Sequence, residues 1–130
     1  LVAARRRGTE EPWLAFPGDS LLVGDVGRPD LHGGDPRAMA RTLHASLERL
    51  MALPDHVLVY PSHYGGSVCG RGLSGNPFST IGFERRHNRA LAHADAAAFA
   101  EALLADTPPP PPDQAAIVAA NRAGGVAARA

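Results

Sequence analysis

The stretch Phe16-Pro17-Gly18-Asp19-Ser20-Leu21-Leu22-Val23-Gly24-Asp25-Val26-Gly27-Arg28-Pro29-Asp30-Leu31 starts at the end of an apolar run and continues as a loop rich in Gly, Asp and Pro. Pro17-Gly18 stops the strand predicted over residues 13–16, so Asp19 falls just past a strand end, on a loop where functional groups are commonly presented. Glycines 24, 27, 33 and 34 permit tight backbone paths, and residues 21–34 read as a structured loop. Upstream, Leu1 to Ala4 reads as a strand, and the turn at Arg7-Gly8 joins it to Trp13–Phe16 as a hairpin.

Downstream, Asp35-Pro36 supplies an N-cap followed by Pro at the first helical position. Met39, Leu43, Leu47, Leu50 and Met51 then recur at helical spacing. This helix ends before Pro54, and the β-branched run Val57 to Tyr60 predicts a buried strand. Residues 61–77 form a long Gly- and Ser-rich loop that carries His63, Tyr64, Cys69 and Asn76. Ser79-Thr80 caps a predicted helix running to about Leu91, and Asp95 caps another through Phe99, Leu103 and Leu104. Five consecutive prolines, Pro108 to Pro112, impose an extended spacer before a short helix over about 114–121 that ends at Gly124-Gly125.

A chain of 130 residues with 45% hydrophobic and 20% charged residues is that of a soluble globular domain. Thirteen basic residues, all Arg, balance thirteen acidic ones, so neither a nucleic-acid nor an anionic-membrane partner is expected. The cluster Arg5 to Arg7 reads as a solvated turn. A single cysteine, Cys69, excludes an internal disulfide and suits a reducing, cytoplasmic compartment. No apolar run reaches the roughly 20 residues of a membrane span.

Asp19 and His63, each past a strand and each followed by a Gly-rich loop, are candidate metal ligands. If their strands are sheet neighbours, both residues lie on one edge, where a pocket can form. The competing readings are a turn-forming carboxylate for Asp19 and a hydrogen-bonded structural histidine for His63. Cys69 and Ser67 read as packing residues, because neither has an identifiable partner base. His44 and His56 read as structural or exposed, and His32, His87 and His93 lack ligand spacing.

The long run 16–31 resembles the persulfide dioxygenase-like branch of the metallo-β-lactamase superfamily. Further stretches fit in the same order: Leu53-Pro54-Asp55; Tyr60-Pro61-Ser62-His63-Tyr64-Gly65-Gly66-Ser67-Val68-Cys69-Gly70; Ser79-Thr80-Ile81-Gly82 with Glu84, Arg85 and Asn88; and Asn121-Arg122-Ala123-Gly124-Gly125. The resemblance implies an α/β fold, the C-terminal half of an αββα sandwich. Residues 1–107 would belong to that domain, 108–113 would be a spacer, and 114–130 a terminal helix and tail.

It further implies that Asp19 is a metal ligand, although Pro17 stands where the family has Thr, and that His63 lies close to the metal. His63 is a ligand of the second metal in two-metal hydrolases and a near neighbour of the site in single-iron dioxygenases. Arg28, Asp30 and Tyr64 are the implied site-loop or substrate-binding residues. Arg28 either pairs with a carboxylate of a glutathione-like substrate or forms an ion pair with Asp30 or Asp25 that shapes the loop.

The implied activity is Fe(II)-dependent oxidation of a small thiol-bound persulfide to sulfite. The alternatives are a hydroxyacylglutathione-type thioester hydrolase with one or two Zn(II) ions and a non-catalytic half-domain; a homodimer is compatible with the sequence. The family's His-x-His-x-Asp-His motif does not occur, and no histidine precedes Asp19. The expectation is therefore a piece of a longer metalloenzyme, inactive by itself.

Overall fold

The computed structural model describes residues 2–5, 7–31, 34–65, 74–109 and 112–124. The readings made for His32, Ser67 and Cys69, for Arg6 and for the middle of the proline run lie outside these residues. The first two strands, β1 (Val2–Arg5) and β2 (Pro12–Phe16), form the predicted antiparallel hairpin. Gly8, at φ +81°, supplies the left-handed residue in the turn.

Two further two-residue strands, β3 (Leu21–Leu22) and β4 (Asp25–Val26), pair with each other. The helix α1 (Pro36–Met51) then carries the chain back to β5 (Leu58–Val59), which lies parallel to β2 with Leu14 opposite Leu58 and Ala15 opposite Val59. Antiparallel to β5 runs β6 (Ser79–Thr80), giving the order β1-β2-β5-β6. The chain continues as α2 (Ile81–His87), a 3-10 turn over Arg89–Ala92, α3 (Ala96–Ala105) and α4 (Gln114–Arg122).

Alternation along the strands sorts their side chains onto two faces. Ala15, Val57 and Val59 are fully buried and join Leu47, Leu50, Ile81, Phe99 and Leu103 in one core. The other face carries Phe16, Tyr60 and Phe78, stacked in sequence at ring separations of 6.1 and 5.8 Å and each more than a third exposed. The β5 ladder bonds extend past its two assigned residues: Tyr60 donates to the Ala15 carbonyl, and the Val57 carbonyl accepts from Ile81.

Helix α1 begins as expected, the Asp35 side chain accepting from the Arg37 amide ahead of Pro36. Its buried stripe is Ala40, His44, Leu47 and Leu50, whereas Met39 is 39% exposed. The stripe is turned toward α3, whose Phe99 meets the His44 ring edge-on at 5.2 Å. His44 also bonds to the His93 carbonyl, so its role is structural. The predicted helix from residue 80 stops early because Asn88 is extended and its side chain competes for backbone partners, accepting from the Ala90 amide. Arg85 on α2 ties down the end of α1, donating to the Met51 and Leu53 carbonyls and pairing with Asp55.

Truncating a core side chain should follow this burial. Leu47→Ala should cost about 3 kcal/mol by urea denaturation, and Asp35→Ala about 1 kcal/mol through the lost cap, whereas Met39→Ala should cost under about 1 kcal/mol. Equal losses at positions 39 and 47 would contradict the observed helix orientation.

Candidate metal centre

Parallel pairing of β2 with β5 makes both chains leave the sheet at the same edge, each directly into a loop that carries a candidate ligand. After Phe16 the chain turns at Gly18, which sits at φ +61°. The Gly18 carbonyl accepts from the Ser62 amide at 3.2 Å, carrying the pairing beyond the strands. Asp19 and His63 are therefore brought together as their strand positions require, with His63 Nδ1 2.6 Å from Asp19 Oδ1. Both side chains are partly exposed, at 43% for His63 and 37% for Asp19, and so are open to a ligand.

The backbone of Asp19 is held by contact with Gly27. A Cβ on Gly27 would lie 2.1 Å from the Asp19 carbonyl oxygen, so only glycine lets the two segments approach this closely. Residues 21–26, expected as part of a structured loop, form the β3–β4 hairpin, with Gly24 at φ +81° in its turn. Buried Glu84 accepts from the Gly24 amide at 3.0 Å, and Asn88 donates to the Asp25 carbonyl at 2.9 Å and to Glu84 at 2.8 Å. Glu84 on α2 and Asn88 at its C-terminal cap thus hold this loop. Sequence reasoning offered no such role for them, since their partners lie about 60 positions away.

Arg28 forms the loop-shaping ion pair with Asp30: Nε donates to Oδ1 at 3.1 Å and Nη2 to Oδ2 at 2.7 Å. The guanidinium is nearly buried and also donates to the Pro108 carbonyl at 2.7 Å. The hydrogen bond from Arg28 holds the Asp30 carboxyl below its ordinary value of 3.8, with burial opposing it. Tyr64 follows His63 and is exposed. A cavity of about 230 Å³ opens on the α1 side of Asp19, lined also by Arg28, Leu31, Met39, Leu43 and Ser46; His63 and Tyr64 are not in its wall.

One carboxylate and one imidazole, adjacent and accessible, are the donor types that iron and zinc accept, so these residues fit part of such a site. Among the described residues no group of three or more His, Cys, Asp or Glu side chains gathers to hold an ion. Arg28 and Asp30 meet each other rather than the Asp19–His63 pair.

Two solved structures share this architecture. A metallo-beta-lactamase from Staphylococcus aureus superposes with a TM-score of 0.73 at 37% identity, over 84% of this chain and 31% of its own. ETHE1 from Myxococcus xanthus superposes with a TM-score of 0.65 at 36% identity, over 87% of this chain and 45% of its own. The chain has the metallo-β-lactamase fold.

No protein-family model matches this metallo-β-lactamase-fold chain. Among curated proteins, the probable metallo-hydrolase YqgX of Bacillus subtilis is 40% identical over 50 residues, 38% of this chain and 22% of the relative. The mitochondrial persulfide dioxygenase ETHE1 of Mus musculus is 36% identical over 50 residues, 38% of this chain and 18% of the relative. The chain spans less than half the length of each of these four proteins. Among the described residues no helix is long and apolar enough to cross a membrane.

Two substitutions probe this loop. Gly27→Ala should displace the Asp19 carbonyl and weaken metal binding at least about tenfold, read by competition with a chromophoric chelator; unchanged affinity would contradict the contact. A carboxyl with a lowered folded-state pKa contributes stability that is full above its unfolded value and lost as pH falls through the folded one. Asp30→Asn should accordingly cost about 1–3 kcal/mol at neutral pH, a gap that closes as urea titrations move below about pH 4. A gap independent of pH would rule out the ion pair as its source.

Proposed function

We propose that the protein carrying this site is an iron-dependent persulfide dioxygenase, which oxidises the terminal sulfur of a small thiol persulfide to sulfite and returns the thiol. The observation that carries this reading is the Asp19–His63 pair at one sheet edge, within a chain similar to a solved ETHE1 over 87% of its length. A named persulfide dioxygenase among the curated relatives supports the reaction class.

In this reading Asp19 is the carboxylate ligand and His63 stands beside it, directing the carboxylate through the contact at Nδ1. Bound iron would supply the one-electron and oxygen chemistry that side chains lack. The residues of this chain orient and enclose: Gly27 fixes the Asp19 backbone, and the Arg28–Asp30 pair keeps the loop in shape. Arg28 spends Nε and Nη2 on Asp30 and Pro108, so a substrate carboxylate in the cavity beside Asp19 would have to use Nη1 or displace one of them. Tyr64, exposed beside His63, would be available to a substrate that approaches from that side.

A second reading is a two-metal thioester hydrolase of the hydroxyacylglutathione type, favoured by the likeness to a probable metallo-hydrolase. There Asp19 and His63 would both help to hold the metal pair, which would supply an activated water for thioester hydrolysis.

Elemental analysis of the full-length protein, with oxygen uptake on glutathione persulfide, separates the two. The dioxygenase should hold one iron and show persulfide-dependent uptake, both lost in Asp19→Ala, while His63→Ala keeps its iron and loses about 10- to 100-fold in rate. Two metals, thioester hydrolysis without oxygen uptake, and loss of one metal in His63→Ala would establish the hydrolase instead.

A further inference from the structure

The chain after α3 returns to the metal-site loop from far along the sequence. Arg28 Nη2 donates to the Pro108 carbonyl at 2.7 Å, across 80 positions, and Gln114 Nε2 donates to the Leu31 carbonyl at 2.8 Å, across 83. These bonds grip the site loop at two points three residues apart, immediately beyond the Gly27 that supports the Asp19 backbone.

The composition of this segment suits a fastener. Proline-rich chain is pre-extended, and its carbonyls are not used internally, so Pro108 offers an acceptor at little ordering cost. Helix α4 has no buried residue and so adds nothing to the core. Its N-terminal residue, Gln114, is nevertheless partly buried and spends its side-chain amide on the loop backbone. A helix that packs into no core, yet places its first side chain on the carbonyl of a site loop, is arranged to hold that loop.

We propose that Pro108 and helix α4 act as a strap that positions the metal-site loop, with Gln114 as its positioning residue. Tension on Leu31 and Arg28 reaches Asp19 through the close contact of Gly27 with the Asp19 carbonyl. The strap thereby sets the placement of the carboxylate without touching the metal or the substrate. The metal-binding part of this inference rests on the function proposed above; the mechanical part does not.

Gln114→Ala and Gln114→Glu, which cannot donate to Leu31, test the idea in the full-length protein, alongside deletion of residues 108–124. Cobalt(II) affinity, read by its visible spectrum, should fall about tenfold in both point variants and at least as far in the deletion, on the scale of other supporting hydrogen bonds at metal sites. Amide exchange at Gly27, Arg28, Asp30 and Leu31 and at Asp19 and Ser20 should quicken. The thermal midpoint of the metal-free protein should stay within about 2 °C of wild type in the point variants, because no core contact is removed. Unchanged exchange in this loop would overturn the strap. Faster exchange with unchanged cobalt affinity would overturn its positioning of Asp19. If the wild-type protein binds no cobalt, the metalloenzyme reading fails, and the exchange data alone decide the strap.

Discussion

The parallel pairing of β2 with β5 governs the rest of this molecule. It is only two residue pairs long, Leu14 with Leu58 and Ala15 with Val59, yet it aligns two chain exits on one sheet edge. Because parallel strands need a crossover, the pairing also requires α1 between them, and α1 supplies the apolar stripe that covers the buried face. Were the register to slip by one residue, Ala15 and Val59 would leave the core and the loops would no longer meet.

From that constraint the site is assembled by backbone approach more than by side-chain charge. Gly18 allows the turn, Gly27 allows the Asp19 carbonyl to lie where a Cβ would otherwise be, and Gly24 allows the β3–β4 hairpin to close. Polar anchors then fix what the glycines permit: Glu84 and Asn88 from α2, and Arg28 within the loop. A glycine-rich loop is entropically costly to order, so a cluster of long-range hydrogen bonds around it is the expected complement.

Much of this was legible along the chain. The hairpin, the capped α1, the start of α2 at Thr80 and the cap of α3 at Asp95 are written in local chemistry: turn glycines, capping carboxylates and hydroxyls, and the period of apolar residues. Asp19 and His63 stood out because each follows a strand and leads into a loop. The early stop of α2 was not legible, because it depends on where the Asn88 amide finds its partners. Nor was the orientation of α1, where His44 takes a core position that Met39 was expected to share, since that follows from the shape of Phe99 on a helix some 50 residues away.

Local sequence, then, indicated most of the strands, helices and loops, apart from the β3–β4 hairpin and the end of α2, and offered Asp19 and His63 as candidate ligands, because capping, turns and periodicity act over a few residues. It left open whether Asp19 meets His63, and which group from far along the chain reaches Arg28. Folding brought these together: strand adjacency placed one donor 2.6 Å from the other, and close packing put the Pro108 carbonyl within reach of the Arg28 guanidinium. Contacts between residues 40 to 80 positions apart depend on how sheet and helices stack, and no local pattern encodes that distance.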